Sequence, residues 1–363
     1  MRILHVETGK HLYGGALQVA YLIRGLQRLG VENMLLSDAR SPLSAEVVVA
    51  GARVDGAAWS GEVDARMYGR LRQVIRDWQP DLVHVHSRRG ADLWGPLAAR
   101  SAGVPHIITR RVDNPEPRWL VKLRYGKAAA VVGISERITQ VLREEGVPPP
   151  KLRTIRSGVD VYQYRPQREP ARECLQRLFR LPADGLYVGM IAQFIRRKGH
   201  HRLLAIARDL IREFPNVYFI LFGQGPEFET VQSEIERLEL QRHIILPGFR
   251  GDLPALVPGL DLVVHPADLE GLGVSLLQAS ACAVPVVAGK AGGIPEIIHD
   301  DVNGYLLDPD DLPIWHRTLQ RLLADAELRQ RLGQQGRDLA VSEFSIETTV
   351  ERNHALYREV LGG

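Results

Sequence analysis

The sequence predicts an α/β protein built from two doubly wound, Rossmann-like domains. Short apolar runs alternate with helical periodicity along the whole chain, the pattern of parallel strands joined by crossover helices. At 363 residues the chain exceeds what one core usually spans, and 45% apolar content supplies two. Prolines 166 and 170, set among several charges, mark a linker between two such runs. The expected domains are therefore 1–165 and 166–345, with a closing helical segment over 346–363.

In the first half the expected strands are Ile3–Val6, Met34–Leu36, Leu82–His86, His106–Thr109, Ala129–Ile134 and Leu152–Ile155. Ala16, Val19, Ala20, Ile23 and Leu26 follow at helical spacing and make one apolar face, with Gly30 as the stop. The second half repeats the scheme with strands at Tyr187–Ile191, Val217–Phe222, His243–Leu246, Leu262–His265 and Val284–Ala288. Beyond Asp310 the periodicity is helical to the end, closing on Ile346–Val360.

Charge is uneven. Residues 1–165 carry 25 basic and 16 acidic side chains, and the rest carry 21 and 27, so the halves stand at +9 and −6. A basic first half suits an anionic acceptor or a membrane surface. Arginine-rich coding explains it equally well, because only six of the 46 basic residues are lysine. Cys174 and Cys282 have neither metal spacing nor a disulfide framework, which fits a reducing cytoplasm. No run approaches the ~18 apolar residues of a membrane span, so any membrane contact is expected to be peripheral.

Ligands of such sheets bind at the carboxyl ends of the strands, so those loops are where chemistry is expected. The first, Gly9-Lys10-His11-Leu12-Tyr13-Gly14-Gly15, puts adjacent glycines at a helix start, where a phosphate or sugar can approach backbone N–H groups. It matches neither the dinucleotide pattern nor a P-loop, and a tight turn is the plain alternative. The second, Arg196-Arg197-Lys198 before Gly199, gathers three cations at a helix start and so makes an anion site. In the third, Glu270 lies on the turn Gly271-Leu272-Gly273, with Gln278 two helical turns on. Glu270 can accept from sugar hydroxyls, the glycine N–H groups can face a phosphate, and Gln278 can reach a ribose. A capping Glu and a surface Gln are the structural alternative. The fourth, Gly292-Gly293-Ile294-Pro295-Glu296, reads as a double glycine opening a helix.

Together these residues resemble the retaining glycosyltransferases of family 4, which have the GT-B fold. Glu-Gly-Leu-Gly from Glu270, Ala-Cys-Ala-Val-Pro-Val-Val-Ala from Ala281, Gly-Gly-Ile-Pro-Glu-Ile-Ile from Gly292 and Asp-Val-Asn-Gly-Tyr from Asp301 follow in family order. Ser157-Gly158-Val159-Asp160 is similar to the family's close of the first domain. The resemblance implies two domains facing a central cleft, the first binding acceptor and the second nucleotide sugar, with the C-terminal helix returning to the first. It also implies a diphosphate site at Lys198 with Arg196 or Arg197, and sugar hydroxyls on Glu270. Ribose would lie on Gln278, donor phosphate or sugar near Gly14 and Gly15, and the reacting sugar near His86. His84 is read as core. The family usually has Glu where Gln278 stands, and Gly-Arg-Leu where Ala192-Gln193-Phe194 stands, which removes one phosphate-binding arginine.

The expected reaction is metal-independent and uses no cofactor beyond the donor, a UDP-sugar. Asp308-Pro309-Asp310 is read as a polar turn rather than a metal site. An anionic glycan or lipid-linked acceptor would be gripped by Arg88, Arg89 and a basic stretch over residues 110–127, which includes Arg110, Arg111, Arg118, Lys122, Arg124 and Lys127. Trp119 and Leu120 in that stretch would meet the inner face of a membrane. A solvated helix face is the alternative. No nucleic-acid partner is expected. The rival readings are a sugar-nucleotide epimerase on the same fold and a catalytically weak sugar-nucleotide-binding scaffold.

Overall fold

A computed structural model of the chain describes residues 1–9, 14–38, 41–57, 61, 63–86 and 90–362. Contacts divide the chain into two compact units, residues 1–158 with 346–363 and residues 159–345.

The first unit runs β1 (Arg2–Glu7), α1 (Gly14–Arg28), β2 (Glu32–Asp38), α2 (Pro42–Val49), β3 (Arg53–Ala57), α3 (Arg66–Trp78), β4 (Leu82–Val85), α4 (Ala91–Ser101), β5 (His106–Arg110), α5 (Arg118–Tyr125), β6 (Ala130–Gly133), α6 (Glu136–Glu144) and β7 (Leu152–Thr154). Its sheet has the order β3-β2-β1-β4-β5-β6-β7, and every pair is parallel. Strands covered on both faces read as near-continuous apolar runs, which is why β1 and β4 stand out in sequence. The strand β3 does not. Its Arg-Val-Asp-Gly-Ala lies at the sheet edge, where one neighbour and one packed face demand little apolar surface.

On α1 the expected face of Ala16, Val19, Ala20, Ile23 and Leu26 is buried. The last helix of the chain, α14 (Ile346–Leu361), belongs to this unit and packs on α1. Gly25 makes that packing possible, because a Cβ there would collide with the Val350 side chain. Val350 and Leu356 are buried against Leu22, Leu26 and Ile107, each contributing roughly 1.5–3 kcal/mol.

The second unit runs α7 (Arg168–Phe179), β8 (Leu186–Ile191), α8 (His200–Glu213), β9 (Val217–Phe222), α9 (Phe228–Arg237), β10 (Ile244–Gly248), α10 (Leu253–Leu256), β11 (Leu262–His265), α11 (Val274–Ala281), β12 (Val286–Gly289), β13 (Gly304–Leu307), α12 (Leu312–Ala324) and α13 (Ala326–Glu343). Its parallel sheet has the order β10-β9-β8-β11-β12-β13. The core centres on Phe219, Leu221, Val264, Val287 and the fully buried Trp315. The helix expected after Gly292-Gly293 is only a single 3-10 turn, Ile294–Glu296. Asn303 ends it by accepting from the His299 N–H at 2.6 Å and donating to the Ile297 carbonyl at 2.9 Å.

In both sheets the strand order reverses once, between β1 and β4 and between β8 and β11. Connections leave opposite ways at such a switch point, opening a crevice at the carboxyl ends of the two central strands.

Candidate functional site

In the second unit, β8 leads through Phe194, whose ring stacks on His200 with centroids 4.1 Å apart, into a 3-10 turn over Arg196–Lys198. Gly199 then reverses the chain at φ +77° and starts α8. Only glycine fits, since a Cβ would also strike the Pro266 carbonyl of the loop after β11. The three cations part company here. Arg196 is exposed and Arg197 half-buried, whereas Lys198 turns inward.

Lys198 Nζ meets Glu270 Oε2 at 2.5 Å. His265, the last residue of β11, places Nε2 3.1 Å from the same oxygen, and the Gly271 N–H donates to Oε1 at 3.0 Å. Because an ionised carboxylate only accepts, His265 must donate from Nε2. Burial works against ionisation of Glu270, but the His265 hydrogen bond and the Lys198 charge outweigh it and hold the carboxyl below its ordinary value. Burial keeps His265 below its own ordinary value despite Glu270. The outcome is a charged carboxylate with two donors on Oε2 and one on Oε1, which leaves Oε1 able to accept again.

The remaining residues of this loop surround that carboxylate. The Gly293 N–H donates to the Glu270 carbonyl at 3.1 Å, so the fourth glycine motif closes against the third. Gly273, at φ +98°, begins α11, and its missing side chain leaves the helix start without a side-chain cap of its own. Leu272 is buried. Gln278 is buried midway along α11, and among the described residues no hydrogen bond joins it to Lys198 or Glu270. Asp308 and Asp310 lie in a turn, where Asp308 accepts from the Asp310 N–H and Asp310 pairs with Arg202. Sequence reasoning missed His265. Its signal was a histidine closing a buried strand five residues before Glu270.

In the first unit three histidines converge at the switch point. His5 on β1 and His84 on β4 are register partners, and His86 follows β4 on the same face as His84. His5 Nδ1 is 2.9 Å from His86 Nε2, and His5 Nε2 is 3.0 Å from Asn33 Oδ1. His84 is held by Tyr357 of α14 at 2.5 Å and by Thr109 of β5 at 2.7 Å. Ring nitrogens of all three lie within 4.8 Å of one another, close enough to share an ion. Reading the histidines singly hid this grouping. Hydrogen bonds engage every one of these nitrogens except His86 Nδ1, which is buried without a partner.

Beside them Arg111, just after β5, lines a partly open cavity of about 20 Å³ together with Gln18, His84, His86, Thr109 and Ser157. Its Nε is likewise unpartnered, and burial lowers its pKa. A Cβ on Gly15 would stand 3.4 Å from Arg111 Cδ, so the start of α1 abuts this arginine. Gly14 is exposed at the start of α1. Lys10 to Tyr13, and Arg88 and Arg89, lie outside the described residues.

The basic stretch over 110–127 is not one surface. Arg110 is fully buried and pairs with Glu145 at 2.5 Å, and Arg124 is buried against Glu116 at 2.6 Å and Asp92 at 3.2 Å. Arg124 ties α5 to α4 and Arg110 ties the end of β5 to the end of α6, since a buried guanidinium left unpaired would be costly. What α5 and its end present outward is Arg118, Trp119, Lys122, Leu123 and Lys127, with Trp119 70% exposed. Leu120, expected beside Trp119 at an interface, is half-buried. No helix among the described residues is long and apolar enough to cross a membrane.

The family model "Glycosyltransferase Family 4" matches residues 13–163, and "Glycosyl transferases group 1" matches residues 175–339. The chain is 29% identical over 298 residues to the GDP-mannose-dependent alpha-(1-6)-phosphatidylinositol monomannoside mannosyltransferase of Mycolicibacterium smegmatis, covering 77% of this chain and 76% of that one. It is 28% identical over 317 residues to the 2-deoxystreptamine glucosyltransferase of Streptomyces kanamyceticus, covering 79% of each. Among solved structures, Anabaena HepE in complex with UDP superposes with a TM-score of 0.87 at 20% identity, over 99% of this chain and 100% of that one. A glycosyltransferase of Rickettsia africae gives the same TM-score at 19% identity, over 99% and 98%. The two parallel sheets are those of the GT-B fold, and the chain belongs to the family 4 glycosyltransferases.

Proposed function

We propose that the chain is a retaining, metal-independent transferase that moves a sugar from a nucleoside diphosphate sugar to a hydroxyl of an anionic, glycan or lipid-linked acceptor. The observation that carries this is the Lys198–Glu270–His265 cluster at the second sheet's switch point. A cation, a charged acceptor of hydroxyl bonds and two uncapped helix starts are what a sugar diphosphate needs. UDP is the proposed nucleotide, supported by the likeness to HepE, which has been solved with UDP.

In this reading Lys198, with Arg196 or Arg197, binds the diphosphate, and the N–H groups at the starts of α8 and α11 add to the positive field. Gln278 faces the ribose. As the bond between the sugar carbon and the phosphate oxygen breaks, its electron pair leaves with the diphosphate. Lys198 and the N–H donors stabilise that charge in place of a metal. Glu270 Oε1 accepts a hydroxyl of the sugar as it flattens toward an oxocarbenium ion. The acceptor hydroxyl attacks from the leaving group's face and gives its proton to a phosphate oxygen, so the anomeric configuration is retained.

The acceptor reading rests on the first unit's basic balance and on the outward face of α5, where Trp119 and Leu123 stand among Arg118, Lys122 and Lys127. That face suits an anionic bilayer surface on the cytoplasmic side, and envelope polysaccharide or lipopolysaccharide synthesis is the matching role. The test of the donor is thermal denaturation with UDP-glucose, UDP-N-acetylglucosamine and GDP-mannose. A ligand bound only by the folded state raises the melting temperature. At least one should do so in the wild type and not in Lys198→Ala; no rise with any of them sinks the reading.

A further inference from the structure

In the second unit the loops after β11 and β13 both reach the side chain of Arg202, in the first turn of α8. Helical side chains lean toward the helix N-terminus, so this guanidinium points back over the loops that hold Lys198 and Glu270. A cation there opposes the helix dipole, and helix formation alone gives no reason for it. Acceptors from two other loops hold it instead. Nη1 donates to the Pro266 carbonyl at 3.3 Å and Nη2 to Asp268 Oδ2 at 3.1 Å, both in the loop that carries Glu270. Nε donates at 2.9 Å to Asp310 Oδ1, in the loop after β13, and Nη2 lies 2.8 Å from the same oxygen. Each loop is fixed in turn. The Asp310 N–H donates to Asp308 Oδ1 at 3.0 Å, and the Asp308 carbonyl accepts at 2.8 Å from Nε1 of the fully buried Trp315. The Asp268 N–H donates to the Arg197 carbonyl at 3.1 Å, beside the close approach of Gly199 to the Pro266 carbonyl. Glu270 follows two residues after Asp268.

We propose that Arg202 is a positioning residue: anchored by Asp310, it fixes residues 266–268 and so sets Glu270 against Lys198. A guanidinium suits this task because its planar fork donates in several directions at once, here to three acceptors, whereas an ammonium is a point charge. The Asp308-Pro309-Asp310 turn thereby gains a part in the site, as the link between that guanidinium and the core. That the Glu270 loop serves sugar transfer rests on the transferase reading above; the fixing of the Lys198–Glu270 pair does not.

With only six lysines in the chain, ammonium spectra of ¹⁵N-lysine-labelled protein resolve Lys198, whose signal is the one missing from Lys198→Ala. Its proton exchange with water, measured without ligand, reports the pair directly, and Glu270→Gln gives the rate for a broken pair. Arg202→Gln and Asp310→Ala should each speed that exchange roughly tenfold, as the pair opens more often. Charge alone moves the two variants in opposite directions. Exchange catalysed by hydroxide slows when a positive charge is lost and quickens when a negative one is lost, whereas loosening quickens both. Opposite shifts, or no shift in either variant, overturn the proposal. The Arg202 side chain is only 11% exposed but that of Asp310 is 80% exposed, so alanine at 310 disturbs no packing, and melting curves check that both variants fold. The double variant should exchange within about twofold of Arg202→Gln, since both act on one link, and multiplied effects overturn the anchoring by Asp310. Transfer is then measured with whichever of UDP-glucose, UDP-N-acetylglucosamine or GDP-mannose raises the wild-type melting temperature. Turnover should fall roughly tenfold in both variants, the effect of a misplaced group, with UDP or GDP bound within about threefold of wild type. Tenfold weaker nucleotide binding in Arg202→Gln with Lys198 exchange unchanged makes Arg202 a diphosphate ligand and overturns the positioning role, as does fast exchange with normal turnover. If no donor binds wild type, the transferase reading fails, and the exchange rates still decide whether Arg202 sets the pair.

Discussion

Lys198 and Glu270, 72 residues apart in sequence, form an ion pair at 2.5 Å across the switch point of the second sheet. Each is the other's partner, so neither group waits in an unsatisfied state. In the proposed reading, a diphosphate that draws Lys198 away would leave Glu270 Oε2 with His265 alone and free the carboxylate to turn its Oε1 to a sugar hydroxyl. That reading links recognition of the diphosphate and of the sugar through one pair of side chains.

Lys198→Ala should abolish measurable transfer and weaken donor binding by roughly ten- to a hundredfold, the loss expected from one charge-assisted contact of about 1.5–3 kcal/mol. Lys198→Arg can keep the pair and should lose less. Donor titration by calorimetry beside a transfer assay checks both, and wild-type affinity in the alanine variant removes Lys198 from the diphosphate site.

Stability should fall as the solution is acidified. Burial lowers the pKa of His5 and His106 from 6.5 to about 4 and that of His200 to about 3. The unfolded chain therefore takes up these protons first, and stability that is complete above pH 6.5 is lost progressively toward pH ~4. Each group contributes up to about 1.4 kcal/mol per pH unit within that window. His106→Gln, at the start of β5 and away from both sites, should flatten the dependence by about one proton. Denaturation curves across the window measure the slope, and an unchanged slope means His106 is already charged in the folded protein.

Much of this architecture was legible because buried parallel strands announce themselves. Ile3–Val6, Val217–Phe222 and Leu262–His265 lie within or coincide with the observed strands. The edge strand Arg53–Ala57 was not legible, since half its surface need not be apolar. Glu270 and Lys198 were readable from glycine turns and a charge cluster, but not their mutual contact, which depends on two loops brought together by strand order. His5 and Asn33 were illegible for the same reason: neither lies in a motif, and the contacts of His5 with Asn33 and His86 exist only once β1, β2 and β4 are adjacent. The buried arginines misled because sequence shows charge and not its partner. Arg110 and Arg124 looked like surface until Glu145, Glu116 and Asp92 were placed beside them.

Transfer should survive an excess of chelator. The proposed leaving-group charge is met by Lys198 and helix N-termini, and the nitrogens of the His5–His84–His86 group are engaged in hydrogen bonds apart from His86 Nδ1. Assays with EDTA, then with added Mn²⁺ or Mg²⁺, decide this. Loss on chelation with recovery on metal addition would refute the metal-free mechanism.

The outward face of α5 should bind anionic vesicles weakly and reversibly. Arg118, Lys122 and Lys127 surround the exposed Trp119 and Leu123, and each basic residue near such a surface contributes on the order of 1 kcal/mol. Co-sedimentation should fall with added salt, with Lys122→Glu and with Trp119→Ala. Equal binding to neutral and anionic vesicles would leave only a solvated helix face.

Glu270→Gln tests the carboxylate itself. The substitution keeps an oxygen for a sugar hydroxyl but removes the charge that Lys198 and His265 now hold in place. A hydrogen bond to a charged group is worth roughly 1.5–3 kcal/mol. If that bond tightens as positive charge grows on the sugar, turnover should fall by about ten- to a hundredfold. The donor dissociation constant should change less, because an interaction made chiefly in the transition state appears in the rate constant. Released from Glu270, Lys198 could even grip the diphosphate more firmly, which moves affinity and turnover in opposite directions. Gln278→Glu restores the residue usual in the family. It should tighten nucleotide binding through the ribose, yet it should not rescue turnover in the double variant, since the two side chains share no hydrogen bond. Steady-state kinetics with donor titrations on both single variants and the double variant separate these effects. Normal turnover in Glu270→Gln would reduce Glu270 to a structural partner of Lys198 and move the search for the sugar-binding carboxylate elsewhere.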